Sequence, residues 1–430
     1  MVEEASMNPV TRAVVKPLAR VSRFITRQKR NYRVAVARSA ANNFLYNLTA
    51  QYDSVYTVAL GAGSVELGTV NSIGNGVAAA IAVPVGWLVD RYGFKRFYVL
   101  GVGLLAGVAL TYALAPTWQV IIAAMILYQV ALRLTGTGCS VISADSVGNE
   151  DRATAQNLCA AFRSVLSMVA PLIAAPLVTA FGGMALEGLR PLYYIRFAGY
   201  ALILFFVAAQ LKDVRNSTQA TPGVSVVSGV KELLEGSNRL RKWVIISSLT
   251  TLPAAMTPPF LQVFAHEVKG ANQYALGAIG TATILARLAF GIPFGRLADR
   301  IGRKKVIYLL TPLWYASHLL LIFSFSPITL ILAGALWTFY YINAGVTSAM
   351  TLELVSVEDM GTWSGLQGLF RGMVTVPAPI LGGLIWRELG PAYVFLVPLV
   401  IDLVLRIPLL TTVPETLNVE RASSERDQQR

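Results

Sequence analysis

Long apolar runs closed by short polar segments repeat along the whole chain; Tyr98–Ala115, Val306–Phe325 and Ile328–Met350 are three of them. A helix needs about 20 mainly apolar residues to cross the hydrocarbon core of a bilayer. On that scale the pattern predicts spanning helices over 34–59, 67–89, 96–115, 118–144, 154–181, 191–211, 243–265, 273–296, 305–325, 327–352, 362–386 and 391–412. Strands do not fit, because the runs are long and lack the alternation of a membrane barrel. A helix also satisfies its own backbone inside lipid. The expected fold class is an all-α membrane protein.

Composition agrees. Of the 430 residues 55% are apolar and 14% charged, against about a quarter charged in soluble domains. The net charge of +13 falls in short segments between apolar runs. It therefore speaks for orientation in a lipid bilayer, and nucleic acid is not an expected partner. One set of loops holds Arg91, Lys95, Arg96, Arg152, Lys212, Arg239, Arg241, Lys242, Arg300, Arg303, Lys304 and Lys305; the opposite set is short and poor in charge. The basic set and both termini should be cytoplasmic, in a multi-pass protein of the cell membrane.

Residues 1–33 lack the apolar core of a signal peptide. Arg12, Lys16, Arg20, Arg23 and Arg27 interleave there with Val14, Leu18, Val21 and Phe24, which suits either a basic surface helix on anionic lipid or a basic tail. Cys139 and Cys159 read as small apolar helix residues, with no metal-ligand spacing. No cofactor or enzymatic activity is expected: there is no phosphate-binding glycine motif and no nucleophile–base set.

The connection 212–242 is rich in Asn, Ser, Thr, Pro and Gly before a charged stretch, so it reads as a cytoplasmic linker. It separates an N-terminal bundle, 34–211, from a C-terminal bundle, 243–412, with a tail at 413–430. An internal repeat supports that cut. Gly86-Trp-Leu-Val-Asp90-Arg91-Tyr-Gly93-Phe-Lys95-Arg96 recurs as Gly295-Arg-Leu-Ala-Asp299-Arg300-Ile-Gly302-Arg-Lys304-Lys305, an offset of 209. Asp145, Glu150, Asp151, Thr154, Phe162, Arg163 and Pro171 recur at an offset of 208 as Glu353, Glu358, Asp359, Thr362, Phe370, Arg371 and Pro379. Two matches at nearly one offset indicate duplication of a six-helix unit.

The repeated Gly-x-x-x-Asp-Arg-x-Gly-x-Lys-Arg segment resembles the signature loop of the major facilitator superfamily, and Pro414-Glu415-Thr416 resembles the family's ending. The resemblance covers residues 34–415. It implies twelve transmembrane helices in two six-helix bundles, working as a secondary active transporter by alternating access; the expected state is a monomer whose partners are the lipid bilayer, a small-molecule substrate and protons. Gly86 and Gly295 would allow close helix approach. Asp90 and Asp299 would meet the helix starts near Thr362 and Thr154, where free N–H groups favour a carboxylate. Asp145 would pair with Arg91 or Lys95, and Glu353 with Arg300 or Arg303. Gly93 and Gly302 complete this cytoplasmic gate. Phe94 departs from the pattern, standing where the second copy has Arg303.

Ionisable residues within spans are costly and tend to face the bundle interior. Here they are Asp53, Arg133, Arg163, Arg196, Arg287, Arg371, Asp402 and Arg406. Arg163 and Arg371 stand at equivalent positions, about 13–14 Å into their helices at 1.5 Å per residue. With Arg287 they either converge on a small organic anion, through bidentate bonds, or reach down to the gate acids. Asn43 and Asn47 share a polar face of the first helix with Asp53, which makes them candidate substrate contacts and Asp53 a candidate proton carrier. Arg133-Leu-Thr-Gly136-Thr-Gly138 loosely resembles the fourth-helix motif of proton-coupled antiporters and adds Arg133 to the coupling set. Asp402 and Arg406, four apart, can pair structurally. A drug/proton efflux antiporter is the alternative reading; a non-transporting membrane sensor or scaffold is the alternative from another class.

Overall fold

The computed structural model describes residues 21, 23–136, 138–212, 238–354 and 360–415; the side chains of 82, 83, 86, 87, 90, 238–241, 352, 354 and 360–366 lie outside the description. Every regular element among the described residues is helical. The N-terminal helices are α1 (Arg30–Thr49), α2 (Asp53–Ala59), α3 (Ser64–Ala80), α4 (Ala82–Tyr92), α5 (Phe94–Leu114), α6 (Trp118–Thr135), α7 (Gly138–Ser146), α8 (Arg152–Ala180) and α9 (Leu186–Gln210). The C-terminal helices are α10 (Asn238–Leu249), α11 (Leu252–Met256), α12 (Pro258–Val263), α13 (Gln273–Ile301), α14 (Arg303–Ile322), α15 (Pro327–Leu354), α16 (Met360–Thr375), α17 (Ala378–Glu388), α18 (Tyr393–Ile401) and α19 (Ile407–Thr411).

Several expected spans are broken, and proline explains most breaks. Proline lacks an N–H and crowds the carbonyl four residues back. Pro84 accounts for the step between α3 and α4 at Ile81, and Pro258 starts α12. Pro377 and Pro379 stand at the step into α17. Pro408 follows a π turn over Asp402–Arg406. Among the described residues, ten helical stretches are long and apolar enough to cross a membrane. The two N-terminal runs are not among them: α1 carries Arg30, Arg33, Arg38 and four asparagines, and both runs are interrupted.

Three core clusters stay within one set of helices, two of them large. One gathers Val34, Tyr98, Ala131 and Tyr200, and the other Trp243, Leu310, Trp314 and Met350. The largest cluster mixes both sets, joining Tyr52, Tyr56, Leu67 and Val178 to Phe260, Phe264, Leu276 and Ala378. It lies at the end where α3 begins and α8 finishes. Small residues let backbones meet there. A side chain at Gly68 would collide with the carbonyl of Pro379, and one at Gly383 with the carbonyl of Ser64. Hydrogen bonds join the same faces: Tyr52 Oη donates to the carbonyl of Gln273 (3.1 Å), Ser64 Oγ to that of Gly383 (3.1 Å), and Asn75 Nδ2 to that of Thr375 (2.8 Å).

At the opposite, basic end, Gly93 (φ 98°) and Gly302 (φ 110°) turn the chain from α4 to α5 and from α13 to α14. This backbone region is open to glycine and strained for other residues. The Cys139 and Cys159 reading needs correction: α7 and α8 pack side by side there, and the two residues form a disulfide with Cα atoms 7.0 Å apart. Part of the basic N-terminal segment is docked at this end. Arg27 Nη2 donates to both carboxylate oxygens of Asp151 (2.9 and 2.8 Å), and Tyr32 Oη to the carbonyl of Ala155 (2.9 Å). Residues 1–20 and the linker at 213–237 lie outside the described residues.

Candidate functional site

A cavity of about 860 Å³ lies between the N-terminal and C-terminal helices. The polar stripe of α1 and α2 forms one wall, through Tyr46, Asn47, Gln51, Asp53 and Ser54. The apolar pattern breaks there because those residues face the cavity. α13, α15 and α16 form the other wall, through Arg287, Trp337, Tyr341 and Arg371.

Asp53 follows the break between α1 and α2. It accepts a hydrogen bond from Tyr193 Oη at 2.8 Å, and Arg196 Nη1 lies 3.9 Å from its other oxygen. Arg196 is buried and also donates to Thr49 Oγ1 at 2.7 Å. Its guanidinium stands 5.7 Å from the rings of Tyr46 and Tyr200. A buried arginine facing a carboxylate and a hydroxyl is compensated in a way that a lone charge is not. Arg133, on α6, lines the cavity and donates to the carbonyl of Ala78 at 3.0 Å.

The C-terminal wall is charged differently. The guanidinium carbon of Arg287 sits 3.9 Å over the ring of Tyr341, a geometry that occupies its face and leaves its edge N–H groups available. Arg371 Nε is buried without a hydrogen-bond partner. No acidic side chain from this wall lines the cavity among the described residues.

The predicted substrate residues thus divide. Asn47, Arg287 and Arg371 line the cavity, as do Asp53 and Arg133; Asn43 and Arg163 do not. Asn43 donates to the carbonyl of Ser39 within its own helix, and Asn47 donates to Asn43 and to Ser167 Oγ. Arg163 is half-buried on α8, and no hydrogen bond or ion pair to it is formed among the described residues. It does not take Asp151, whose carboxylate is held by Arg27. Arg196, recognised in the sequence as an intramembrane charge, had no site role there; the Tyr193–Arg196 spacing on α9 becomes meaningful only opposite Asp53.

The gate residues form part of their expected network. Arg303 Nη2 lies 2.5 Å from Glu353 and 3.6 Å from Asp299. Asp299 is 64% exposed on its side chain and takes Arg303, on its own side of the molecule, rather than the helix start near Thr154. Gly295 has open space where a side chain would stand, so no close approach is made there. Asp145 accepts from Ser146 Oγ at 3.4 Å. Phe94, the departure from the repeat, is buried and stacks on Tyr98 with ring centroids 5.1 Å apart. Arg300 is exposed, Lys95 is half-buried, and Arg91 stands 5.7 Å from the ring of Tyr92. The side chains of Gly86, Asp90 and Thr362 lie outside the described residues.

Buried polar groups away from the cavity belong to packing. Asp402 and Arg406 are paired within the π turn; Tyr315 Oη donates to Asp402 at 2.6 Å and Arg406 to Thr311 Oγ1 at 3.4 Å.

Comparison with known proteins places this architecture. The profile of the Major Facilitator Superfamily matches residues 35–275 and 243–429. An MFS-type transporter of Methanocaldococcus jannaschii is 33% identical over 108 residues, 25% of this chain and 27% of that protein. The inner membrane transport protein YajR of Escherichia coli strain K12 is 31% identical over 146 residues, 34% of this chain and 32% of that protein. The aligned stretches thus span about a quarter to a third of those relatives. Crystal structures of the nucleoside transporter NupG superpose with a TM-score of 0.74 at 17% identity, covering 89% of this chain and 99% of that one. A POT family transporter superposes at 0.70 with 14% identity, covering 89% and 96%. The matched profile and the helical architecture with its apolar stretches show that the chain is a multi-pass membrane protein that belongs to the major facilitator superfamily.

Proposed function

We propose that this protein is a secondary active transporter that carries a small organic anion by alternating access. Residues 34–211 and 243–412 act as two six-helix units that rock about the central cavity. The basic end carrying Gly93 and Gly302 faces the cytoplasm, by the excess of Lys and Arg in its loops. Because the mixed core cluster and the glycine contacts close the other end, the conformation described is inward-facing. Asp299, paired here with Arg303, then becomes the latch that meets the start of α8 when the cytoplasmic end closes.

The observation that carries the anion reading is the imbalance of charge around the cavity: four arginines line it against Asp53 as the one carboxylate among the described lining residues. Arg133 and Arg196 have protein partners, which leaves Arg287 and Arg371 for substrate. Asp53 acts as the proton carrier, since neutralising it frees Arg196 to meet the anion. A drug/proton antiporter is the competing reading, supported by Asp53 and the aromatic lining.

Flux into proteoliposomes tests both. A pH gradient should drive carboxylate uptake, with no need for ATP. Asp53→Asn should lose the response to the gradient while keeping exchange of internal for external substrate. Movement of cationic dyes without carboxylates would replace this reading with antiport, and absence of flux for either class would favour a sensor.

A further inference from the structure

The two cavity walls differ in a way that narrows the substrate. On the C-terminal wall, Arg287 is stacked at 3.9 Å on Tyr341, and Trp337 meets Tyr341 edge to face, with centroids 6.0 Å apart and planes at 82°. A guanidinium placed over a ring face at this distance can still offer its N–H edge to a bidentate carboxylate. Arg371, whose buried Nε has no hydrogen-bond partner among the described residues, supplies a second donor. On the N-terminal wall, Tyr46 and Tyr128 stand with parallel rings 6.0 Å apart, beside the amides of Asn47 and Gln51. Aromatic faces favour a flat partner by ring–ring contact beyond simple apolar burial. The neighbouring amides and phenols suit hydroxyl groups on its rim.

We propose that the transported anion is a planar aromatic acid, its carboxylate held by Arg287 and Arg371 on the C-terminal wall and its ring set among the tyrosines facing them. The proposal rests on the anion-transport reading and adds the substrate class and orientation. A substrate carboxylate on one wall and a hydroxylated ring on the other would touch both rocking units at once. The molecule therefore bridges them and favours the change of conformation, as a ligand must that binds two states unequally.

The test uses purified full-length protein in detergent, read by thermal stabilisation, and the same protein in liposomes, read by flux. The probes are 4-hydroxybenzoate, 4-hydroxycyclohexanecarboxylate (same charge and hydroxyl, saturated ring) and 4-hydroxybenzamide (same ring, no charge). The expected result is stabilisation and uptake with 4-hydroxybenzoate, about two- to tenfold weaker binding of 4-hydroxycyclohexanecarboxylate, and none detectable for the amide. Arg371→Gln and Arg287→Gln should each abolish the response to 4-hydroxybenzoate. Tyr46→Leu, on the wall facing the two arginines, should reduce the preference for the aromatic over the saturated acid. Equal binding of the two acids overturns the aromatic assignment but leaves anion transport standing. Binding of the amide as tight as the acid overturns the carboxylate orientation. Failure of both acids, with cationic dyes moving instead, overturns the anion reading itself. The comparison of ligands on the unmodified protein decides the matter even where a variant does not fold.

Discussion

Asp402 and Arg406 are withdrawn from water and from each other's alternatives: the pair is about 96–98% buried, and Tyr315 and Thr311 complete its hydrogen bonding. Removing one partner of a buried pair leaves an uncompensated charge, which costs about 3–5 kcal/mol. Asp402→Asn should therefore lower the thermal unfolding midpoint sharply, whereas Asp402→Leu combined with Arg406→Met should recover most of the loss. If the single and double variants unfold alike, the pair is not what stabilises this region. Arg38 is a different case. It is 95% buried, its Nε and Nη2 have no hydrogen-bond partner, and its guanidinium stands 4.9 Å from the Tyr98 ring. Spacing along the chain gives no sign of this burial, because the side of a helix start that packs inward depends on its neighbours.

Helix ends and breaks decide the next scale. Glu415 accepts from the backbone N–H groups of Arg303 (2.9 Å) and Lys304 (3.1 Å), and Lys304 Nζ donates to the carbonyls of Thr411 (3.0 Å) and Val413 (2.7 Å). The first N–H groups of a helix have no partner within it, so this carboxylate caps α14 and ties it to the end of α19. Glu415→Ala should cost about 0.5–2 kcal/mol, as cap removals do, read as a fall in the unfolding midpoint; Glu415→Gln, which keeps an acceptor, should lose less. Gly302, directly before α14, holds φ 110° with Glu415 against it. Gly302→Ala should cost about 1–3 kcal/mol from backbone strain. The equivalent Gly93→Ala has open space around it, so it should show the strain alone. A larger loss at Gly93 than at Gly302 would contradict this account.

Across the whole molecule, closure at one end depends on close backbone contact. Gly383→Val would collide with Ser64 and Val65, so it should hold the closed end apart. In a background of Cys139→Ser and Cys159→Ser, Ser54→Cys should be shielded from an impermeant maleimide added at the closed end. Adding Gly383→Val should expose it. Unchanged labelling would mean that this contact does not seal the cavity.

The helical class, the membrane and the duplication were legible in residue order, because hydrocarbon imposes local demands on length, polarity and backbone satisfaction. The intramembrane charges were also legible, since each stands out singly against an apolar background. Which of them meet was decided by packing. Arg163 and Arg371 hold the same place in the repeat, yet only Arg371 lines the cavity. α8 continues unbroken to Ala180, whereas α16 stops at Thr375 before Pro377. Likewise Asp53 finds Arg196 only when α2 and α9 lie side by side. A residue's type and its distance from a helix start are properties of the chain; the side of the helix that faces a cavity depends on every neighbour packed around it.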